Sequence, residues 1–288
     1  MLQLQFALGT ALLTTFCQGQ VFSRGTLVAV VPANGGIVVA ADTRTTVAQT
    51  DCDGNAKLFV PKLRKNTVVF QTGEGLQLPS FGARQPVDIC AYIRSTPPLL
   101  DIANFLVQQV DAKPKQVLTE TEIQEIAAHC VSKVIEFAHK YESVHPLNRY
   151  LGQNMFRAAI VSYDVKHETG LLGSFILLVD SMGAPALGKV EWHEFLKTDK
   201  TSDDLNYFGE TEYVEQSVYR LGQRFLTPYK ALFGKTVRHT SLSDATSAAL
   251  SLITATEEIA KIVKPPSGIG GPIDVATLTK TGAALERH

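Results

Sequence analysis

The chain has little of what would mark several common classes. Four cysteines among 288 residues, Cys17, Cys52, Cys90 and Cys130, are too few for a disulfide-built scaffold, and none lies in a C-x-x-C pair. Neither sign of charge is in excess: 27 Lys and Arg face 28 Asp and Glu. That near-balance gives no basic field, so nucleic acid is not an expected partner. No apolar run reaches the roughly 18–20 residues that a membrane span needs. The seven histidines show no H-E-x-x-H or other paired spacing, so neither a metal nor any other cofactor is expected. Asp51-Cys52-Asp53-Gly54 is too short for a calcium loop and reads as a turn. Gly and Pro are too sparse for a disordered chain.

Residues 4–16 form an apolar stretch about as long as the core of a signal peptide, although no Lys or Arg precedes it. Residues 1–25 are therefore read as a leader, a signal peptide or a propeptide, and residues 26–288 as one domain. A buried strand or helix is the plainer alternative for the first segment. With a signal peptide the protein is exported, periplasmic or secreted; without one it is cytoplasmic.

After Gly25 the pattern becomes that of strands. Thr26–Val31 and Ile37–Ala41 flank Asn34-Gly35-Gly36, a strong hairpin signal. Lys57–Val60 and Thr67–Gln71 read as a second strand pair, running into Thr72-Gly73-Glu74-Gly75. Ile102, Phe105, Leu106 and Val110 suit one helix. Ile123, Ala127, Cys130, Val134, Phe137 and Tyr141 make a longer helical stripe, opened by a capping box at Thr119 and Glu122. Strands return at Phe156–Asp164 and Ser174–Asp180, and Trp192 is a packing residue in a strand. A helix spans Leu242 to Val263, starting at Ser241-x-x-Asp244 and stopped by Pro265-Pro266, and Ile273–Thr279 is a last strand. Strands joined by hairpins rather than crossovers predict an α+β fold of antiparallel layers. Cys90 and Cys130 both fall in the helical half. They read as core residues, or as a disulfide if the protein is exported.

Three polar residues near the first hairpin carry a possible chemistry: Thr26, Asp42 and Lys57. A threonine hydroxyl is a weak nucleophile and needs a base within hydrogen-bond reach. Cleavage between Gly25 and Thr26 would expose an α-amino group, with an ordinary pKa of about 7.7–8.0, that can serve as that base. A lysine ammonium beside the hydroxyl favours its deprotonation and keeps the amine neutral. A carboxylate behind the lysine holds it in place. Asp42 also suits a simpler role, capping the loop after its strand, and Lys62 and Lys65 compete with Lys57. For Thr26, Arg44 and Asp42 to share a face, the hairpin needs an odd loop, and a three-residue loop or another of odd length is expected. Asn34-Gly35-Gly36 as a three-residue loop pairs Thr26 with Arg44 and Val28 with Asp42, whereas a two-residue loop places Asp42 on the other face.

Gly25-Thr26, Ile37–Arg44 (IVVAADTR), Lys57 before a strand and Thr72-Gly73 together resemble the proteasome β-subunit family. Gly270-Gly271-Pro272-Ile273-Asp274-Val275 followed by Gly282 extends the resemblance over nearly all of the chain after Gly25. It implies a four-layer αββα sandwich of the N-terminal-nucleophile hydrolase type. It further implies that Thr26 is the nucleophile, released by autocatalytic cleavage after Gly25. Asp42 and Lys57 would be its acid and lysine, Arg44 a supporting arginine, and Gly73 the oxyanion donor, a contact typically contributing about 2.7–4 kcal/mol. The substrate would be a peptide or unfolded protein and the assembly a homo-oligomeric ring. The chain also departs from the family. Glu210, within Gly209-Glu210-Thr211, replaces a serine. Pro266 and Ile269 stand where an Asp and a Ser precede the glycine pair, with Ser267 the nearby hydroxyl, and Leu27 and Val28 follow Thr26 in place of threonines. These departures keep two rivals open, a non-catalytic subunit of the same fold and a small-molecule amidase using the same nucleophile.

Overall fold

The first strand, β1 (Leu27–Ala33), is apolar at every position but its proline and buried along its whole length, as is β2 (Gly36–Asp42). A strand with no polar face must be covered on both sides, and that requirement sets the architecture. The computed structural model describes residues 26–47, 50–80, 86–113, 117–141, 146–195, 206–209, 236–263 and 268–288.

After β2 come β3 (Thr45–Val47), β4 (Thr50–Cys52), β5 (Leu58–Phe59), β6 (Thr67–Gly73), β7 (Leu76–Gln77), helix α1 (Ile89–Ser95), β8 (Leu100–Asp101), α2 (Ile102–Asp111) and α3 (Glu120–Tyr141). The chain continues through β9 (Gln153–Asp164), β10 (Thr169–Val179), β11 (Pro185–Phe195), β12 (Asn206–Gly209), α4 (Leu242–Val263), β13 (Ile273–Thr279) and β14 (Gly282–Arg287). Two five-stranded antiparallel sheets result, ordered β12-β1-β2-β13-β14 and β11-β10-β9-β6-β5.

Alternate residues of β1 separate the layers. Leu27, Ala29, Val31 and Ala33 pack beneath α4 with Ala249, Leu252 and Ile253. Val28 and Val30 face the other way, into an apolar layer shared with Val68, Phe70, Ala159 and Val161 of the second sheet. That sheet is covered on its outer side by α2 and α3, whose Leu106, Ile126 and Val134 join Phe175 of β10 in one apolar layer. The order is helix, sheet, sheet, helix: the αββα sandwich that the resemblance implies.

The capping box at Thr119 and the helix start at Ser241 both form. Glu122 N–H donates to Thr119 Oγ1 at 3.3 Å while its carboxylate accepts from Thr119 N–H at 2.9 Å. Asp244 N–H donates to Ser241 Oγ at 3.0 Å at the start of α4. No helix among the described residues is long and apolar enough to cross a membrane.

Two expectations are corrected. Ala33 pairs with Gly36, so the hairpin loop is the two residues Asn34-Gly35, not three. Gly35 supplies the positive φ of 77°. Gly36 is a glycine for another reason: a Cβ there would lie 2.3 Å from the Leu278 carbonyl oxygen of β13. Its small size admits the neighbouring strand and does not lengthen the turn. The disulfide joins Cys52 to Cys90, not Cys90 to Cys130. Cys52 ends β4, so Asp51-Cys52 belongs to a strand with Asp53-Gly54 following it. Cys130 is buried on α3 as a free thiol, and burial pushes its pKa up to about 12.

Candidate active site

With the two-residue loop, Val28 faces Ala41 and Asp42 falls opposite Leu27 in the ladder. By strand parity Asp42 should point away from Thr26. It reaches the site because the ladder of β2 stops there. Beyond Asp42 the backbone turns aside, Thr43 N–H donating to the carbonyls of Gly270 and Pro272. The Asp42 side chain then lies across the strand end and accepts from Leu27 N–H at 2.7 Å. The shared-face arrangement is thus wrong, while the proximity it was meant to secure is achieved by strand termination.

The carboxylate accepts further bonds from Arg44 N–H at 3.2 Å, Gly270 N–H at 3.1 Å and the Lys57 ammonium at 3.0 Å. Asp42 is 0% exposed, and Lys57 8%. Burial is the largest influence on each partner. It pushes the Lys57 ammonium below the usual lysine range, opposed by the charge and hydrogen bond of Asp42. It pushes the Asp42 carboxyl up, opposed by Lys57 and by the Leu27 and Gly270 N–H donors. A buried carboxylate with four donors is the arrangement that keeps an ion pair intact away from water.

Lys57 lines a cavity of about 200 Å3 together with Thr26 and Gly73. Thr26 is buried, at 7% exposure, immediately ahead of β1. Gly73 ends β6 with φ of 85°, and a Cβ there would lie 2.8 Å from the Met155 carbonyl oxygen, so the backbone conformation demands glycine. The following residue, Glu74, is buried and accepts a hydrogen bond from the Tyr150 hydroxyl. Glu74 N–H donates to Met155 O at 2.9 Å, which pins the backbone beside Gly73.

Arg44 does not line the cavity. Its guanidinium makes a two-pronged contact with Asp53, Nε to Oδ1 at 2.7 Å and Nη2 to Oδ2 at 3.2 Å. This contact raises the Arg44 pKa and lowers that of Asp53. Nη1 donates to the Ile269 carbonyl at 3.2 Å and lies 3.6 Å from Glu257. Arg44 therefore clamps the Gly270 loop to the β3–β4 hairpin, so that Gly270 N–H meets Asp42.

The glycine pair fits this clamp. A Cβ on Gly270 would lie 2.3 Å from Glu257 Oε1 and 2.6 Å from Arg44 Nη1, and one on Gly271 would lie 2.9 Å from the Asp53 carboxylate. Ile269 itself packs beneath α4. Sequence reasoning did not assign a role to Gly209, which pairs with Leu27 on β12. A Cβ there would lie 1.7 Å from the Thr26 carbonyl oxygen, so glycine is what lets β12 pass the site. Gly25, Glu210, Thr211, Pro266 and Ser267, like the leader and Cys17, lie outside the described residues.

No protein-family model and no curated protein matches the chain. Among solved structures, the chain is similar to the Gly-1 mutant of Anbu from Hyphomicrobium sp. strain MC1. The identity is 14% and the TM-score 0.47, over 91% of this chain and 87% of that one.

Proposed function

We propose that the chain is a threonine-type N-terminal-nucleophile peptidase whose mature form begins at Thr26. One observation carries the reading. A buried lysine, fixed 3.0 Å from a buried aspartate, lines the same cavity as Thr26 and a glycine held in a left-handed conformation. In this reading cleavage after Gly25 frees the Thr26 amine, and that amine removes the proton from Thr26 Oγ1 as the oxygen attacks a peptide carbonyl. Lys57 stabilises the charge developing on Oγ1, Asp42 orients Lys57, and the Gly73 N–H stabilises the tetrahedral oxyanion. The proton passes to the leaving amine, and water then hydrolyses the ester on Thr26.

The resemblance on which the reading also draws implies a homo-oligomeric ring acting on peptides or unfolded proteins. The Cys52–Cys90 disulfide favours an exported protein over a cytoplasmic one. A second reading, a non-catalytic subunit, is favoured by Ile269, whose apolar side chain under α4 leaves no polar group at that position.

Hydrolysis of a panel of fluorogenic peptides, with Thr26→Ala and Lys57→Ala as controls, separates the two. Turnover by the wild type that both variants lose supports the peptidase. A wild type that turns over no peptide favours the non-catalytic subunit.

A further inference from the structure

Glu74 directly follows Gly73, and the proposed chemistry leaves its carboxylate without a role. A carboxylate kept from water is costly unless donors meet it. Two of the donors that meet this one come from a single turn of 3-10 helix, Leu147–Tyr150, about as far along the chain as the fold allows before β9. The Tyr150 hydroxyl donates to Glu74 Oε2 across a separation of 76 residues, and Arg149 Nη2 lies 3.5 Å from the same oxygen. Arg149 Nη2 also donates to Gln77 Oε1 at 3.0 Å, and Gln77 Nε2 donates in turn to the Glu74 carbonyl at 2.8 Å. Gln77 is fully buried. Glu74 is therefore gripped through both its side chain and its backbone.

The turn that grips it is itself fixed. Leu147 and Tyr150 pack in the apolar layer with Phe156 and Val179 of the second sheet. Just beyond the turn, Gly152 N–H donates to the Val179 carbonyl at 2.8 Å. The arrangement matters for Gly73 because a backbone N–H is aimed only as well as the residues on either side of it are held. Before Gly73, the ladder of β6 and β9 does the holding, pairing Thr72 with Arg157. After Gly73, β6 has ended, and the side chains of Glu74, Gln77, Arg149 and Tyr150 take over from the ladder. Glu74, Arg149 and Tyr150 do not line the cavity, so they act on the site through Gly73 and not on a substrate.

We infer that Arg149 and Tyr150 are positioning residues for the Gly73 N–H, holding through the Glu74 carboxylate the backbone that the tetrahedral oxyanion must meet. The inference rests on the peptidase reading and deepens it, extending the oxyanion site to a turn that the motif residues do not include.

The test is steady-state cleavage of one fluorogenic peptide by the wild type, Tyr150→Phe, Glu74→Leu and Glu74→Gln, with urea unfolding of each. Tyr150→Phe, which keeps the buried ring and removes one oxygen, should lower kcat by about tenfold. Glu74→Leu should lower it by about 10²-fold, the scale of loss for a misplaced reacting group. KM should stay within about twofold in both. Glu74→Gln still offers an oxygen to Tyr150 and Arg149 and should return kcat to within about fivefold of wild type. Inhibition by the matching peptide aldehyde, whose adduct with Thr26 Oγ1 mimics the tetrahedral state, should weaken in parallel with kcat. Should Glu74→Leu fail to fold, Tyr150→Phe decides alone. An unaltered kcat in Tyr150→Phe, a loss confined to KM, a Glu74→Gln variant as poor as Glu74→Leu, or aldehyde inhibition that does not follow kcat overturns the inference while leaving the peptidase reading standing. A wild type that cleaves no peptide overturns both.

Discussion

Lys57 and Asp42 meet across the gap between the two sheets. Asp42 closes β2 of the first sheet, Lys57 immediately precedes β5 of the second, and their charged atoms lie 3.0 Å apart in the interior. The pair therefore reports on the packing of the two layers as well as on the proposed chemistry.

If the proposed mechanism operates, the pair should give a bell-shaped pH profile. Its acid limb would reflect the Thr26 amine, which must lose its proton to act as a base and which a neighbouring ammonium favours in the neutral form. The alkaline limb reflects Lys57, whose charge is lost as pH rises through a pKa that burial has already lowered. Asp42 supports the protonated lysine, so Asp42→Asn should move the alkaline limb to lower pH. It should also reduce kcat by about 10²-fold or more. An alkaline limb that stays in place in kcat/KM profiles of wild type and variant would show that Asp42 does not tune Lys57.

Arg44 should behave as a positioning residue. It touches Asp53, Ile269 and Glu257 but not the cavity. Arg44→Lys cannot reproduce the two-pronged contact and should destabilise the fold by about 1–3 kcal/mol. Because the loss reaches Asp42 through Gly270 N–H, kcat should fall with KM little altered. Urea unfolding and steady-state kinetics on the same preparation check both parts, and a change confined to KM would place Arg44 in substrate binding instead.

Gly73→Ala should be disruptive despite the small size of the change. A side chain at φ of 85° costs about 1–2 kcal/mol, and its Cβ meets Met155 O at 2.8 Å. Displacing the backbone N–H by even a fraction of that distance should lower kcat by about 10²–10³-fold. A variant that is less stable by that amount yet fully active would remove Gly73 from the proposed mechanism.

Much of the fold is legible in the sequence because the local signals agree. The capping box at Thr119 and the stripe of α3 mark a helix whose burial matches its periodicity, and the Ser241-x-x-Asp244 start marks that of α4. Other elements carry no such signal. Helix α1 has seven residues, too few for a periodic stripe, and β14 is a largely exposed edge strand. The hairpin register is misread because glycine has two uses. Gly36 resembles a turn residue but serves the close approach of Leu278. In the site, the motif residues Thr26, Asp42, Lys57 and Gly73 are visible as a resemblance. The clamp of Arg44 with Asp53 and Glu257, and the cavity wall from Leu76, Ile93 and Asp101, join segments far apart in the chain and arise only from tertiary packing.

The Cys52–Cys90 disulfide ties β4 to α1, and Ile93 of α1 lines the cavity. Its sequence separation of 38 residues corresponds to about 4 kcal/mol in the loop-entropy treatment. Reduction, or Cys52→Ala with Cys90→Ala, should therefore lower Tm by about 8–16 °C. KM for peptides should rise, since the wall carrying Ile93 is no longer tied down. Scanning calorimetry with and without reductant checks the first part. An unchanged Tm would mean that the bridge does not constrain the unfolded chain.

The central claim is that Thr26 becomes the first residue, so that its own amine serves its hydroxyl. Intact-mass measurement of the purified protein tests this directly. The account predicts a chain beginning at Thr26 in the wild type, and in the Thr26→Ala variant a chain still joined through Gly25 to its leader. A wild-type chain that still carries Ser23-Arg24-Gly25 ahead of Thr26 would contradict it.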